Sequence, residues 1–217
     1  MKVNEILKSV HVAYEQAADA PALNDEDGQI RLNLLQKAVR RWSTDNVTKW
    51  NELFSVGDIG PIQPGQREYD LPEGYSLSSG FYLQGSSEPL YVKSPSQLTG
   101  EDGKFVTILG NPQIGHKLRL GWIPKSSDQE IDKTIIVKYY REPFIPTKLD
   151  DVLEMSDPNF AIAYVTAELF VNDDANLYTK YNSDAMILLA NMRQRNELAP
   201  DGQFSGLEGD IGIGGDW

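Results

Sequence analysis

The chain has 217 residues, 40% of them hydrophobic and 24% charged, with a formal net charge of −12 and no cysteine. That composition is globular and allows one sizeable domain or two small ones. It excludes disulfides and thiolate catalysis, and the acidic balance counts against affinity for nucleic acid, which needs a basic footprint.

Val3, Ile6, Leu7, Val10, Ala13, Tyr14 and Ala17 recur at three- and four-residue spacing and predict a first helix with one apolar face. The segment DAPALNDEDG breaks it. Ile30, Leu34, Leu35, Ala38 and Trp42 then predict a second helix. STDN offers Ser43 or Thr44 as N-cap of a short third helix carrying Val47, Trp50, Leu53 and Phe54. The start, MKVNEILKSVHVAYEQ, lacks the apolar stretch and cleavage site of a signal peptide, and no run is long enough to span a bilayer. A protein kept inside a cell, or built into a larger assembly, is expected.

From Ser55 the texture changes. GDIGPIQPGQ and GYSLSSG read as turns, and REYDLPEGY as a short strand. GFYLQG, PLYVKS, KFVTILG, HKLRLGWIP and KTIIVKYYREP read as further strands. Leu118, Leu120 and Trp122 alternate with polar neighbours, and Ile135, Val137 and Tyr139 share a face. Six or so short strands joined by tight turns predict an antiparallel sandwich or barrel.

Helix returns in MSDPNFAIAYVTAELFVND, with Ser156 or Asp157 as cap and Pro158 near the first helical position. DDAN leads into a last helix whose buried side is marked by Tyr178, Tyr181, Ala185, Leu188, Leu189 and Met192. The expected class is therefore α+β. A helical bundle is built from N-terminal helices (1–54) and a C-terminal hairpin (147–198), with an inserted antiparallel β-sandwich or barrel module (55–146) and an extended C-terminal arm (199–217).

Chemistry-bearing motifs are sparse. His11 and His116 fall in different modules and read as structural or solvated side chains, and neither His-Glu-x-x-His nor a cysteine cluster is present to suggest zinc. LNDEDGQI places Asp25, Asp27 and Gly28 as in a calcium loop, but Leu23 and Leu34 stand where its end carboxylates belong. The loop reads as acidic capping for the second helix. GYSLSSG lacks the last glycine of a nucleophile elbow, and GDIGIGG has no following helix to make a dinucleotide loop. The pairs Asp150–Asp151 and Asp173–Asp174 read as capping charges. No catalytic residue, cofactor or metal is expected, and the chain does not read as an enzyme.

The ending is unusual in another way. From Ala199 onward there are six glycines, four acids and no lysine or arginine, too little to form a core of its own. Yet Phe204, Leu207, Ile211, Ile213 and Trp217 are strongly apolar, and the last three share one face of an extended chain. Side-chain burial alone barely offsets the entropy of ordering such an arm, so main-chain hydrogen bonds along a partner's strand edge or groove are needed as well.

The order of pieces resembles the head-to-tail adaptor (connector) proteins of tailed bacteriophages over roughly residues 1–196. The carriers are an aromatic-rich helical segment, RLNLLQKAVRRWSTDNVTKWNELF, and Gly65, Gln66, Tyr69, Leu71 and Pro72 in GQREYDLPEGY. EPLYVKSPSQL, KLRLGWIP, TIIVKYYREP and LDDVLEMSDPNFAIAYVTAELF follow in the order the family keeps. The resemblance implies a ring subunit, twelve-fold as a rule, docked beneath the portal in the virion neck after assembly in the bacterial cytoplasm. Neighbouring copies and a downstream tail or nozzle protein would be its other partners. DNA would pass through the ring without sequence-specific binding, and an anionic lumen would keep it from sticking. No membrane is involved. The family has no catalytic residues to carry over, and its members vary in the tail. On this reading Phe204, Leu207, Ile211, Ile213 and Trp217 bind the portal or a neighbouring subunit. The alternative is a carbohydrate- or protein-binding β-sandwich module of a tail-associated structural protein, gripping its ligand through Tyr82, Tyr91 and Trp122.

Overall fold

The computed structural model describes residues 1–16, 22–45, 48–97, 103–111 and 114–198. The expected arm, with Phe204, Leu207, Ile211, Ile213 and Trp217, lies outside the described residues, as do Ala17 and Val47. The described chain is α+β, with four helices and two sheets. Its contacts divide it into a helical unit, residues 1–52 with 143–198, and a β unit, residues 53–142.

In the helical unit, α1 (Val3–Glu15) buries Val3, Ile6, Leu7 and Val10 as its spacing predicts, and His11 with them. Its first N–H groups, which no helical carbonyl can reach, donate to the strap before the later helices: Val3 N to Asp151 O at 2.9 Å and Asn4 N to Leu149 O at 3.0 Å. The α2 helix (Glu26–Ser43) buries Leu35, Ala38 and Trp42 as expected, but one edge of its buried face is shifted. Gly28, Arg31, Leu32, Leu35, Ala38, Val39 and Trp42 are buried, while Ile30 is 43% exposed and Leu34 only half-buried. Arg31 lies on the shifted edge with Leu32 and Val39, and its charge finds partners inside the unit. Acidic Glu26 and Asp27 occupy the first turn, where the helix dipole favours them.

Among the described residues the expected third helix is absent. Thr44 is instead the C-cap of α2, its N–H bonded to Arg40 O at 3.0 Å, and Asn51–Leu53 makes only a single 3-10 turn. Trp50 is held by packing rather than by helical periodicity: its indole N–H donates to Trp42 O at 2.8 Å and the two rings lie 5.5 Å apart.

The central element of this unit is α3 (Asn159–Phe170), apolar on nearly all sides and buried at eight positions. It packs against α1, α2 and α4 (Ala175–Leu198), which is what an all-round apolar helix requires. Pro158, expected near the first helical position, is the N-cap of α3, and Asp157 just before it accepts the Asn159 N–H at 3.1 Å; Asp174 caps α4 by accepting from Asn176 and Leu177 at 2.8 and 3.0 Å. The Asp151 side chain caps no helix. Its carboxylate accepts the N–H groups of Thr147 and Lys148 in the strap, and those two bonds hold its pKa below the usual carboxylate range.

The β unit holds one sheet of β1 (Phe54–Pro61), β3 (Tyr75–Leu83) and β7 (Thr134–Arg141), in the order β1-β7-β3. The second contains β2 (Glu68–Asp70), β4 (Tyr91–Val92), β5 (Phe105–Asn111) and β6 (Gly115–Leu120), in the order β2-β6-β5-β4. Pairing is antiparallel except between β4 and β5, which run parallel against expectation. Phe81, Ile135 and Val137 from the first sheet share one buried core with Val106, Leu118 and Leu120 from the second, joined by Ile62, Tyr69 and Trp122.

Two segments expected as turns are strand in whole or in part: GDIGPIQPGQ is strand only over residues 57–61 and turns at Pro64 and Gly65 as expected. VGDIGP belongs to β1, an edge strand in which a register shift between Asp58 and Gly60, with Gly60 at φ +134°, accommodates the extra residue. As an edge strand it tolerates Pro61 at its end. GYSLSSG runs along β3, where shifts at Tyr75/Leu77 and Ser78/Gly80 break the alternation a strand would otherwise display.

Candidate functional site

Three features of the described residues offer chemistry or a binding surface. The first is a polar cluster inside the helical unit. Arg31, 3% exposed, is the most deeply buried guanidinium and cannot lose its proton, so it needs acceptors. Its Nη1 donates to His11 Nδ1 at 2.5 Å, and its Nη2 pairs with the Glu15 carboxylate one turn further along α1. The guanidinium also lies 5.9 Å from the centroid of the Tyr14 ring. Tyr14 in turn donates its hydroxyl to Asp173; that bond, with lesser burial and charge effects from Asp173, raises the phenol's pKa. This cluster joins α1, α2 and the α3–α4 turn. It consumes His11 as an acceptor, which fits a structural histidine.

The second feature is a crease of about 310 Å³ in the β unit, lined among others by Asp70, Glu73, Tyr75, His116, Lys117 and Glu142. His116 meets the edge of Tyr75 at 5.2 Å, and Lys117 sits 3.7 Å from Asp70. Lys117 offsets Asp70, while Glu73 and Glu142 leave the crease acidic. Among the described residues no group of three or more His, Cys, Asp or Glu side chains is arranged to hold a metal ion.

The third is a groove of about 400 Å³ on the α3–α4 hairpin, lined by Asn159, Ile162, Ala163, Tyr181, Asp184, Ile187 and Leu188. The hairpin leaves it open because α4 spends only Ala185, Leu189 and Met192 on full burial. Tyr178, Tyr181 and Leu188, expected on the buried side, are half-buried, and Ile187 is 58% exposed. Tyr181 stacks on Phe170 at 5.9 Å with the rings 6° apart, and Phe170 meets Tyr14 at 4.8 Å. One wall of the groove is thus fixed by an aromatic row running back to the polar cluster.

The three aromatics of the alternative reading do not form one platform. Trp122 is buried in the core, Tyr82 lies beneath the Lys138 ammonium at 4.7 Å, and of the three only Tyr91 is largely exposed, at 64%. The groove carries no sequence signature beyond Ile187, which falls outside the predicted stripe. Among the described residues no helix is long and apolar enough to cross a membrane. Compared with protein-family models the chain matches none, and no curated protein is similar to it in sequence.

Proposed function

We propose that the chain is a structural subunit of a head-to-tail adaptor in a tailed bacteriophage, assembling as a ring beneath the portal, extending the DNA channel and offering a docking surface to the tail. The finer architecture proposed is a bundle formed by the N- and C-terminal helices with a β-sandwich inserted between them. The observation that carries this reading is the ordered series of segments from RLNLLQKAVRRW through GQREYDLP and TIIVKYYREP to the alanine- and tyrosine-rich α3. An open apolar groove on α3 and α4 supports a protein that completes its surface by association. The net charge of −12 suits a channel that DNA must traverse without sticking. The chain has no catalytic role in this account, and its apolar C-terminal residues anchor it to the portal or to a neighbouring copy.

Deleting residues 199–217 tests the assignment. Loss of co-assembly with the portal protein, with the circular dichroism of the isolated subunit unchanged, is the expected result. Co-assembly at the wild-type level would remove the arm from the account.

A further inference from the structure

We infer that the outer edge of β1 receives an extended segment of another protein, which joins the first sheet as an added strand antiparallel to β1. The inference goes beyond the adaptor reading and does not depend on it. β1 pairs with β7 along one side only, so every second residue from Ser55 to Asp58 turns its N–H and C=O away from the sheet. Among the described residues, Ser55, Val56, Gly57 and Asp58 make no hydrogen bond outside that ladder. The other edges offer less. β2 is 3 residues long and β4 is 2. β3 is met on its outer side by Leu90 N, which donates to Phe81 O at 2.7 Å, and by the Tyr82–Pro89 bridge. Edge strands are commonly blunted by a charge, a bulge or a proline. On β1 the register shift and Pro61 lie beyond Asp58, which leaves Phe54–Asp58 in unbroken register.

The side chains of β1 specify what the incoming strand carries. Val56 and Asp58 stand opposite Lys138 and Ile136 of β7, on the face away from the core that holds Val137 and Ile135. Val56 is apolar yet 59% exposed, and Asp58 is exposed with no ion pair among the described residues. An antiparallel partner meets them with a lysine or arginine opposite Asp58 and, two residues later, an apolar side chain opposite Val56. Main-chain hydrogen bonds then supply the attachment, and this pair of side chains the selectivity. The β1 strand of a second copy is the wrong complement. Phe54–Pro61 holds no basic residue, so edge-to-edge pairing would leave both Asp58 carboxylates without a cation.

The probe is the synthetic peptide acetyl-Thr-Val-Lys-Thr-Val-Thr-amide, added to the full chain up to millimolar concentration, with amide hydrogen exchange read residue by residue by NMR. In the free protein every second amide from Ser55 to Asp58 is expected to exchange fast. Peptide at saturation should slow those amides by at least about tenfold. Asp58→Lys, at an exposed position, should weaken peptide binding about two- to fivefold, the weight of one cross-strand ion pair. A peptide with glutamate in place of its lysine should recover that loss. Uniformly slow exchange in the free protein would show the edge already covered and overturn the inference. Exchange that the peptide leaves unchanged would do the same. Slowing that rises with protein concentration alone would give the edge to a second copy, against the inference. Equal binding of both peptides to both forms of the chain would remove the charge pairing that selects the partner.

Discussion

Arg193 on α4 grips Asp45, just past the end of α2, with two parallel hydrogen bonds, the Nη2–Oδ1 bond measuring 2.5 Å. The residues are 148 positions apart, and the Asp45 side chain is 9% exposed. The pair fastens the last helix to the first half of the chain. Three bonds continue the seam: Asn196 Oδ1 accepts the Asn51 N–H at 2.9 Å, its Nδ2 donates to Lys49 O at 2.8 Å, and its backbone carbonyl accepts from Asn51 Nδ2 at 3.4 Å.

Removing the guanidinium leaves a nearly buried carboxylate with only the Thr48 hydroxyl, at 3.1 Å, to donate to it. Arg193→Met is expected to lower the unfolding free energy by about 1–3 kcal/mol, and Arg193→Lys by less, because an ammonium keeps the charge and loses the fork. Urea midpoints at neutral pH measure both. Equal losses would show that charge alone matters at this seam.

The turn from β5 to β6 sets a second test. Gly110 has φ +94°, and a Cβ there would sit 2.2 Å from the Gly115 carbonyl oxygen. Gly110→Ala therefore meets both left-handed strain and a backbone clash, and should cost about 2–4 kcal/mol. Gly65→Ala, at φ +79° in open space, should cost only about 1 kcal/mol. Thermal unfolding of the two variants ranks them.

The Lys104–Glu130 ion pair gives a pH signature. The hydrogen bond from Lys104 holds the Glu130 carboxyl below its ordinary range against the opposing effect of burial. A depressed carboxyl contributes stability above its unfolded pKa and loses it as pH falls through the folded value. Wild type should therefore exceed Lys104→Met at pH 7, by under about 1 kcal/mol since the lysine is 69% exposed, and the gap should close below the ordinary glutamate range. Urea unfolding from pH 7 down to pH 3 measures it. A gap that widens in acid would reverse the assignment.

Leu118 is fully buried in the core shared by the two sheets. Leu118→Ala is expected to cost about 2–5 kcal/mol, with faster amide exchange concentrated in residues 53–142. Equal loss of protection in α3 would mean that the two units unfold as one.

Much of this was legible where one burial rule governs a whole element. The α1 face and the alternation of Ile135, Val137 and Tyr139 are set by a single buried side, so periodicity finds them. β1 carries few apolar residues and gains its strand character from pairing with β7, which no local pattern encodes. β3 hides behind two register shifts. The edge of the α2 face includes Arg31, a residue that reads as exposed until Glu15 and His11 are brought beside it. The groove is hidden for the opposite reason: spacing places Leu188 in the core, and only the narrow burial stripe of α4 leaves it half-buried and Ile187 open.

Electron microscopy of the purified chain mixed with a tailed-phage portal protein encoded in the same genome tests the proposed adaptor role most directly. The account predicts a closed ring of copies added coaxially to the portal, with an open channel through both. Portal particles unchanged in outline, with the chain remaining as single subunits, would contradict it.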